Sequence, residues 1–82
     1  MTTEKQTVTD RWFLAFDDLV QTGRTNIKRM ADELDTDRRN FYKQAADHSR
    51  AIIKHEWLTH LVLRYGLSAD WLLTGRGWPW GE

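Results

Sequence analysis

The 82-residue chain contains no cysteine. That absence excludes a disulfide framework, a cysteine-based zinc site and a thiol nucleophile. It also fits a reducing compartment. One proline and five glycines are too little turn chemistry for a β-sandwich or a linker-rich chain. No apolar run approaches the ~18 residues that a membrane-spanning helix needs. Residues 1–10 are polar and lack the apolar centre of a secretory signal, so a cytoplasmic protein is expected. Twelve Lys and Arg balance twelve Asp and Glu. No global field therefore draws the chain to a polyanion, although a zero sum can conceal a local patch.

What is present is aromatic. Five Trp, two Tyr and three Phe supply large apolar area per residue, which a chain this short needs for a core. The length allows one domain. Charge divides unevenly along it. Residues 1–23 hold two basic and four acidic side chains, residues 24–50 hold seven basic and five acidic, and the remainder balances three against three. A polyanion-binding surface belongs in the middle third.

Periodicity predicts helices throughout. Thr9 is expected to cap a first helix over 10–21, with Trp12, Phe13, Phe16, Leu19 and Val20 inward and Gly23 past its end. Thr25 is expected to cap a second, in which Ile27, Met30, Ala31 and Leu34 form one stripe. Asp35-Thr36-Asp37 breaks the pattern, and a third helix follows with Arg38, Arg39, Asn40, Phe41, Tyr42, Lys43, Gln44 and Ala45. Residues 47–50 form a polar connection, and Ile52 and Ile53 should pack inward. A fourth helix covers 55–65, with Trp57, Leu58, Leu61, Val62 and Tyr65 inward and Gly66 closing it. Ser68 caps a last helix over 69–74, whose Trp71 faces the fourth. Gly75 and Gly77 close that helix. The expected organisation is a flexible N-terminus over 1–9, an all-α five-helix domain over 10–77, and a Trp-rich tail over 78–82.

A short amphipathic helix, a three-residue break and a second, polar helix match the helix–turn–helix unit that reads DNA. Ala31 supplies the small residue where the helices cross, and Phe41 the apolar anchor that sets the second helix. Arg38 and Arg39 then lie in its first turn, with Lys43 a turn later. Arg reads guanine O6 and N7 in bidentate fashion, and Lys reaches the same acceptors. Asn40 and Gln44 can meet adenine or phosphate.

Residues 26–44 resemble the helix–turn–helix of the phage-repressor and Cro-like (lambda repressor-like) DNA-binding domains. Tyr65-Gly66-Leu67-Ser68-Ala69-Asp70-Trp71-Leu72-Leu73-Thr74-Gly75-Arg76-Gly77 is similar to the family's closing segment, and is the more specific match. The two matches together cover about residues 10–77. The resemblance implies a compact lambda repressor-like domain with the helix–turn–helix at helices 2 and 3. It implies base contacts at Arg38, Arg39 and Lys43 and a recognition-helix cap at Asp37. Asp35 stands where the family usually has a left-handed Gly, which Asp tolerates better than most residues. Ile27 stands near the usual phosphate-bracing Gln, so that contact is either lost or moved to Asn26 or Lys28.

The function these readings imply is sequence-specific binding of double-stranded DNA through the major groove. The protein would act as a phage- or mobile-element-type transcriptional regulator, a repressor, in a bacterial cytoplasm at the nucleoid. Phosphate contacts are expected from Arg24, Asn26, Lys28, Asn40 and Tyr42, and Tyr42 has the core edge as its other reading. One such module buries too little for tight binding alone, so a homodimer on a near-palindromic site is expected. The alternative is a protein–protein interaction module of the same fold that uses Trp78 and Trp80 to contact a partner, without DNA. Trp78 and Trp80 belong to no apolar period and either fold back or stay exposed. No enzyme is expected, because Ser49 beside His48 has no orienting acid. No metal is expected at His48, His55 and His60, which lack ligand spacing. No cofactor, membrane or small-molecule substrate is implied.

Overall fold

The computed structural model describes residues 7–46 and 54–80. These form α1 (Val8–Gln21), α2 (Ile27–Glu33), α3 (Arg38–Ala46), α4 (His55–Tyr65) and α5 (Ala69–Thr74), with no strand among the described residues. The expected all-α, five-helix fold is therefore observed. The polar connection 47–50, with His48 and Ser49, lies outside the described residues, as do Ile52 and Ile53.

Two helix starts differ from expectation. Thr7, not Thr9, caps α1. Its hydroxyl accepts from the Asp10 amide at 3.0 Å, and the Asp10 carboxylate accepts from the Thr7 amide at 3.0 Å. This reciprocal box satisfies two otherwise orphaned donors, whereas Thr9 is turned inward and buried. Asn26, not Thr25, caps α2 by accepting from the Arg29 amide at 2.8 Å. Thr25 is buried, with its hydroxyl 3.4 Å from the Tyr65 phenol. In both places a neighbouring capping residue is drawn into the interior and the one left at the surface does the work.

The link between α2 and α3 needs one left-handed residue, and Asp35 supplies it with φ 56°. The Thr36 amide then bonds back to the Ala31 carbonyl at 3.0 Å. The Asp37 carboxylate accepts from the Asn40 amide at 2.7 Å and caps α3.

The core is an aromatic cluster built on α1. Trp12 has no exposed surface, and its indole N–H donates to the Trp57 carbonyl at 2.8 Å. Its ring centroid lies 4.9 Å from that of Phe13, 5.3 Å from Trp57, and 5.9 Å from Phe16 and from Phe41. Stacked, edge and tilted pairs of this kind add roughly 0.5–1.5 kcal/mol each beyond area burial. Leu19, Met30, Leu61, Leu67 and Leu72, with the small Ala15 and Ala31, complete the buried apolar set. Val20, expected inward, is exposed at the rim.

α5 buries Leu72; Trp71, expected as its core residue, is only half-buried against the cluster. A six-residue helix aims one position squarely at the core, and here the Ser68 cap, accepting from the Trp71 amide at 3.2 Å, sets that position at Leu72. Arg11 of α1 holds the other end of α5. Its Nε donates to the Leu72 carbonyl at 2.7 Å and its Nη2 to the Leu73 carbonyl at 3.2 Å. A cation at a helix C-terminus also opposes the helix dipole. Gly75, with φ 82°, ends α5; a Cβ there would stand 3.3 Å from Arg11 Nη1, so the glycine makes room for the guanidinium. Among the described residues no helix is long and apolar enough to cross a membrane.

Adjacent leucines separate burial from composition. Leu72→Ala is expected to lower unfolding free energy by about 2–5 kcal/mol, and Leu73→Ala, at a 56% exposed position, by no more than about 0.5 kcal/mol. Denaturant titration followed by circular dichroism distinguishes them, and equal losses would contradict the placement of α5.

Candidate nucleic-acid interface

α3 turns a single fully buried side chain, Phe41, toward the core. Its ring stacks on Trp57 at 5.6 Å and meets Phe16 edge-on at 5.0 Å. With Phe41 inward, Arg38, Arg39, Asn40, Tyr42 and Lys43 are all exposed. Arg39 and Lys43 are one turn apart, as are Arg38 and Tyr42, so the three cations lie on two adjoining ridges of one outer face. The Tyr42 ring is 55% exposed, which places it outside the core edge. The Asp37 carboxylate beside this face is engaged by the Asn40 amide. The Asn40 side-chain amide donates to the Thr36 hydroxyl at 3.0 Å. Gln44 is half-buried, and its amide oxygen is shielded, without a hydrogen-bond partner among the described residues. It does not share the outer face that the sequence suggested.

The other expected contacts gather before and at the start of α2. Arg24 and Lys28 are exposed, while the Asn26 side-chain Oδ1 is occupied as the α2 cap. Arg24 is held from an unexpected direction. Its guanidinium carbon lies 5.8 Å from the centroid of the Trp80 ring, a cation–π distance. The Trp80 indole N–H donates to the Asp18 carboxylate at 3.0 Å, and the Pro79 carbonyl accepts from the Ser68 amide at 2.8 Å. The tail thus folds back along α1 at Trp80 and leaves Trp78 71% exposed. Sequence spacing carried no signal for a contact across 62 residues, beyond the lone proline that keeps this segment out of a helix.

Sequence reasoning also missed a polar cluster that ties α2 to α4. The Glu33 carboxylate accepts from His60 Nε2 at 2.8 Å and from the Tyr65 hydroxyl at 2.9 Å, and Arg29 Nε lies 3.7 Å from its second oxygen. Burial of this carboxyl works to raise its pKa. The hydrogen bonds from His60 and Tyr65, with the charges of His60 and Arg64, outweigh burial and hold it below the ordinary 4.5. Among the described residues no group of three or more His, Asp or Glu is placed to hold a metal ion.

No protein-family model, curated protein or solved structure matches this chain. Any functional reading accordingly rests on the residues themselves.

The Glu33 cluster has a defined pH signature. A carboxyl depressed by folding stabilises fully above its unfolded value and loses that contribution as pH falls through its lower folded value. The stability difference between the parent and Glu33→Gln is therefore expected to be largest near neutral pH and to shrink progressively below pH 4.5. Denaturant midpoints measured for both proteins across that range test it. A difference independent of pH would mean that the carboxylate charge contributes nothing.

Proposed function

We propose that this chain is a helix–turn–helix domain of the lambda repressor-like kind, which binds double-stranded DNA with α3 in the major groove. The observation that carries the reading is the outer face of α3. A helix anchored by one aromatic side chain presents Arg38, Arg39 and Lys43 together, on a protein with no net charge. The left-handed Asp35 and the cap at Asp37 favour the same reading, because a two-helix reading unit needs a sharp turn and a firm start to its second helix.

In this reading Arg38 and Arg39 address base edges from the first turn and Lys43 from the second. Arg24, Lys28 and Tyr42 meet phosphates, and Asn26 and Asn40 add side-chain amides where their capping and Thr36 bonds leave a donor free. Trp80 fixes Arg24 and so makes the tail part of the phosphate-contacting edge. The domain works as a homodimer and as a transcriptional regulator, a repressor of phage or mobile-element type. Apart from Lys28 and Arg29 on α2, the cations near α3 are offset by Asp32, Asp35 and Asp37. Non-specific attraction is thereby kept small, and base contacts carry a larger share of the affinity.

The exposed Trp78 favours one second reading, in which the same fold docks a protein partner through its tail. Binding of duplex DNA as a function of salt and sequence separates the two. Arg38→Ala or Arg39→Ala is expected to weaken binding to a preferred site by about 1–3 kcal/mol and to relax preference at one base position. A phosphate contact such as Lys28 should instead lose affinity equally on all duplexes and reduce the salt slope by about one unit. Arg76→Ala, outside the reading unit, serves as a charge-matched control. Equal behaviour of all these variants on every duplex, or no duplex binding at low salt, would overturn the DNA reading and favour the partner-docking one.

A further inference from the structure

The outer face of α4 has no role in the reading above. His55, Thr59 and Leu63 follow one another at four-residue spacing and form a ridge along it. Leu63 is 79% exposed, the most exposed large apolar side chain among the described residues. A groove runs along each side of the ridge. The one facing the end of α2 is bordered by Glu33, Leu34 and Asp35 on one side and by Glu56 and Arg64 on the other. The one facing α5 is floored by Leu58, Val62 and Leu72. A ridge between two grooves is the relief onto which another helix packs.

The charges on this face select which helix. Glu56 stands in the first turn of α4 and Arg64 in its last, about 12 Å apart along the axis at 1.5 Å per residue. A second α4 laid antiparallel brings Glu56 against the partner's Arg64 and Arg64 against the partner's Glu56. A parallel copy would set like charges together at both ends. The antiparallel arrangement also sets Leu63 into the partner's groove between α4 and α5, where the floor is apolar. Because each contact recurs with the partners exchanged, the interface is two-fold and closes at two copies.

We propose that the outer face of α4 is the self-association surface of this protein, with two α4 helices antiparallel, Leu63 as the apolar anchor and reciprocal Glu56–Arg64 pairs setting the register. The need for a dimer rests on the DNA reading; the face is argued from α4 and the two grooves beside it. The test therefore uses no DNA, and failure of either claim leaves the other to be judged separately.

Sedimentation equilibrium of the full chain at low salt, over a wide concentration range, reads the association constant directly. The parent is expected to show a monomer–dimer equilibrium. Glu56→Arg and Arg64→Glu should each weaken it roughly tenfold, since each reversal disrupts two reciprocal pairs. The double charge reversal, E56R with R64E, should restore it, and Leu63→Glu should leave only monomer. All three positions lie at the surface, and thermal melting of each variant verifies its fold. A parent that stays monomeric at every concentration overturns the proposal. So does a dimer indifferent to Leu63→Glu, or one in which the double reversal fails to recover what the single reversals lose.

Discussion

The orientation of α3 depends on one side chain. Phe41 is enclosed by the rings of Trp12, Phe13, Phe16 and Trp57, with centroids 5.0–5.9 Å away. No other side chain of the helix is fully buried. A helix with several inward residues is fixed by many small contacts; this one is fixed by a single large one, and the four rings must already be in place to receive it. Much of the architecture serves that end. Trp12 is held from within by its bond to the Trp57 carbonyl, which joins α1 to the start of α4. The exposed cations of α3 are the other consequence, because with Phe41 inward and only Gln44 and Ala45 half-buried beside it, Arg38, Arg39 and Lys43 are left at the surface.

α1 is the member on which separate parts of the chain converge. Its Arg11 satisfies the last carbonyls of α5, its Trp12 and Phe16 surround Phe41, and its Asp18 receives the indole of Trp80. The Glu33 cluster ties α2 to α4 independently of the aromatic cluster. The pair α2–α3 is thus attached at two places of different chemistry. One is apolar, through Phe41 of α3 and Met30 of α2, and insensitive to pH. The other is polar, through Glu33, and weakens as that carboxyl takes up its proton.

The all-α class and the bounds of α4 and α5 were legible because their signals are local and unrivalled. Gly66 and Gly75 adopt the left-handed conformation that ends each helix, and Ser68 has no competing cap nearby. The starts of α1 and α2 were misread because two capping residues stand close together, Thr7 with Thr9 and Thr25 with Asn26. Burial, which is a tertiary property, decides between them. Leu72 displaced Trp71 for a related reason: in six residues the apolar period is too short to say which neighbour faces inward. On the candidate face, the exposure of Arg38, Arg39 and Lys43 could be read once Phe41 was taken as the anchor. The inward turn of Gln44, the grip of Trp80 on Arg24 and the Glu33–His60–Tyr65 cluster could not. Each joins residues far apart in the chain or depends on which side of a short helix the neighbouring element covers.

We propose that the face Phe41 presents discriminates among DNA sequences. The most direct measurement is selection of bound duplexes from a random pool by the purified full chain, over successive rounds at moderate salt. Enrichment of a short common motif containing guanine at one or more fixed positions is expected, as bidentate arginine contacts require. A bound pool with the same base frequencies as the starting one would contradict it.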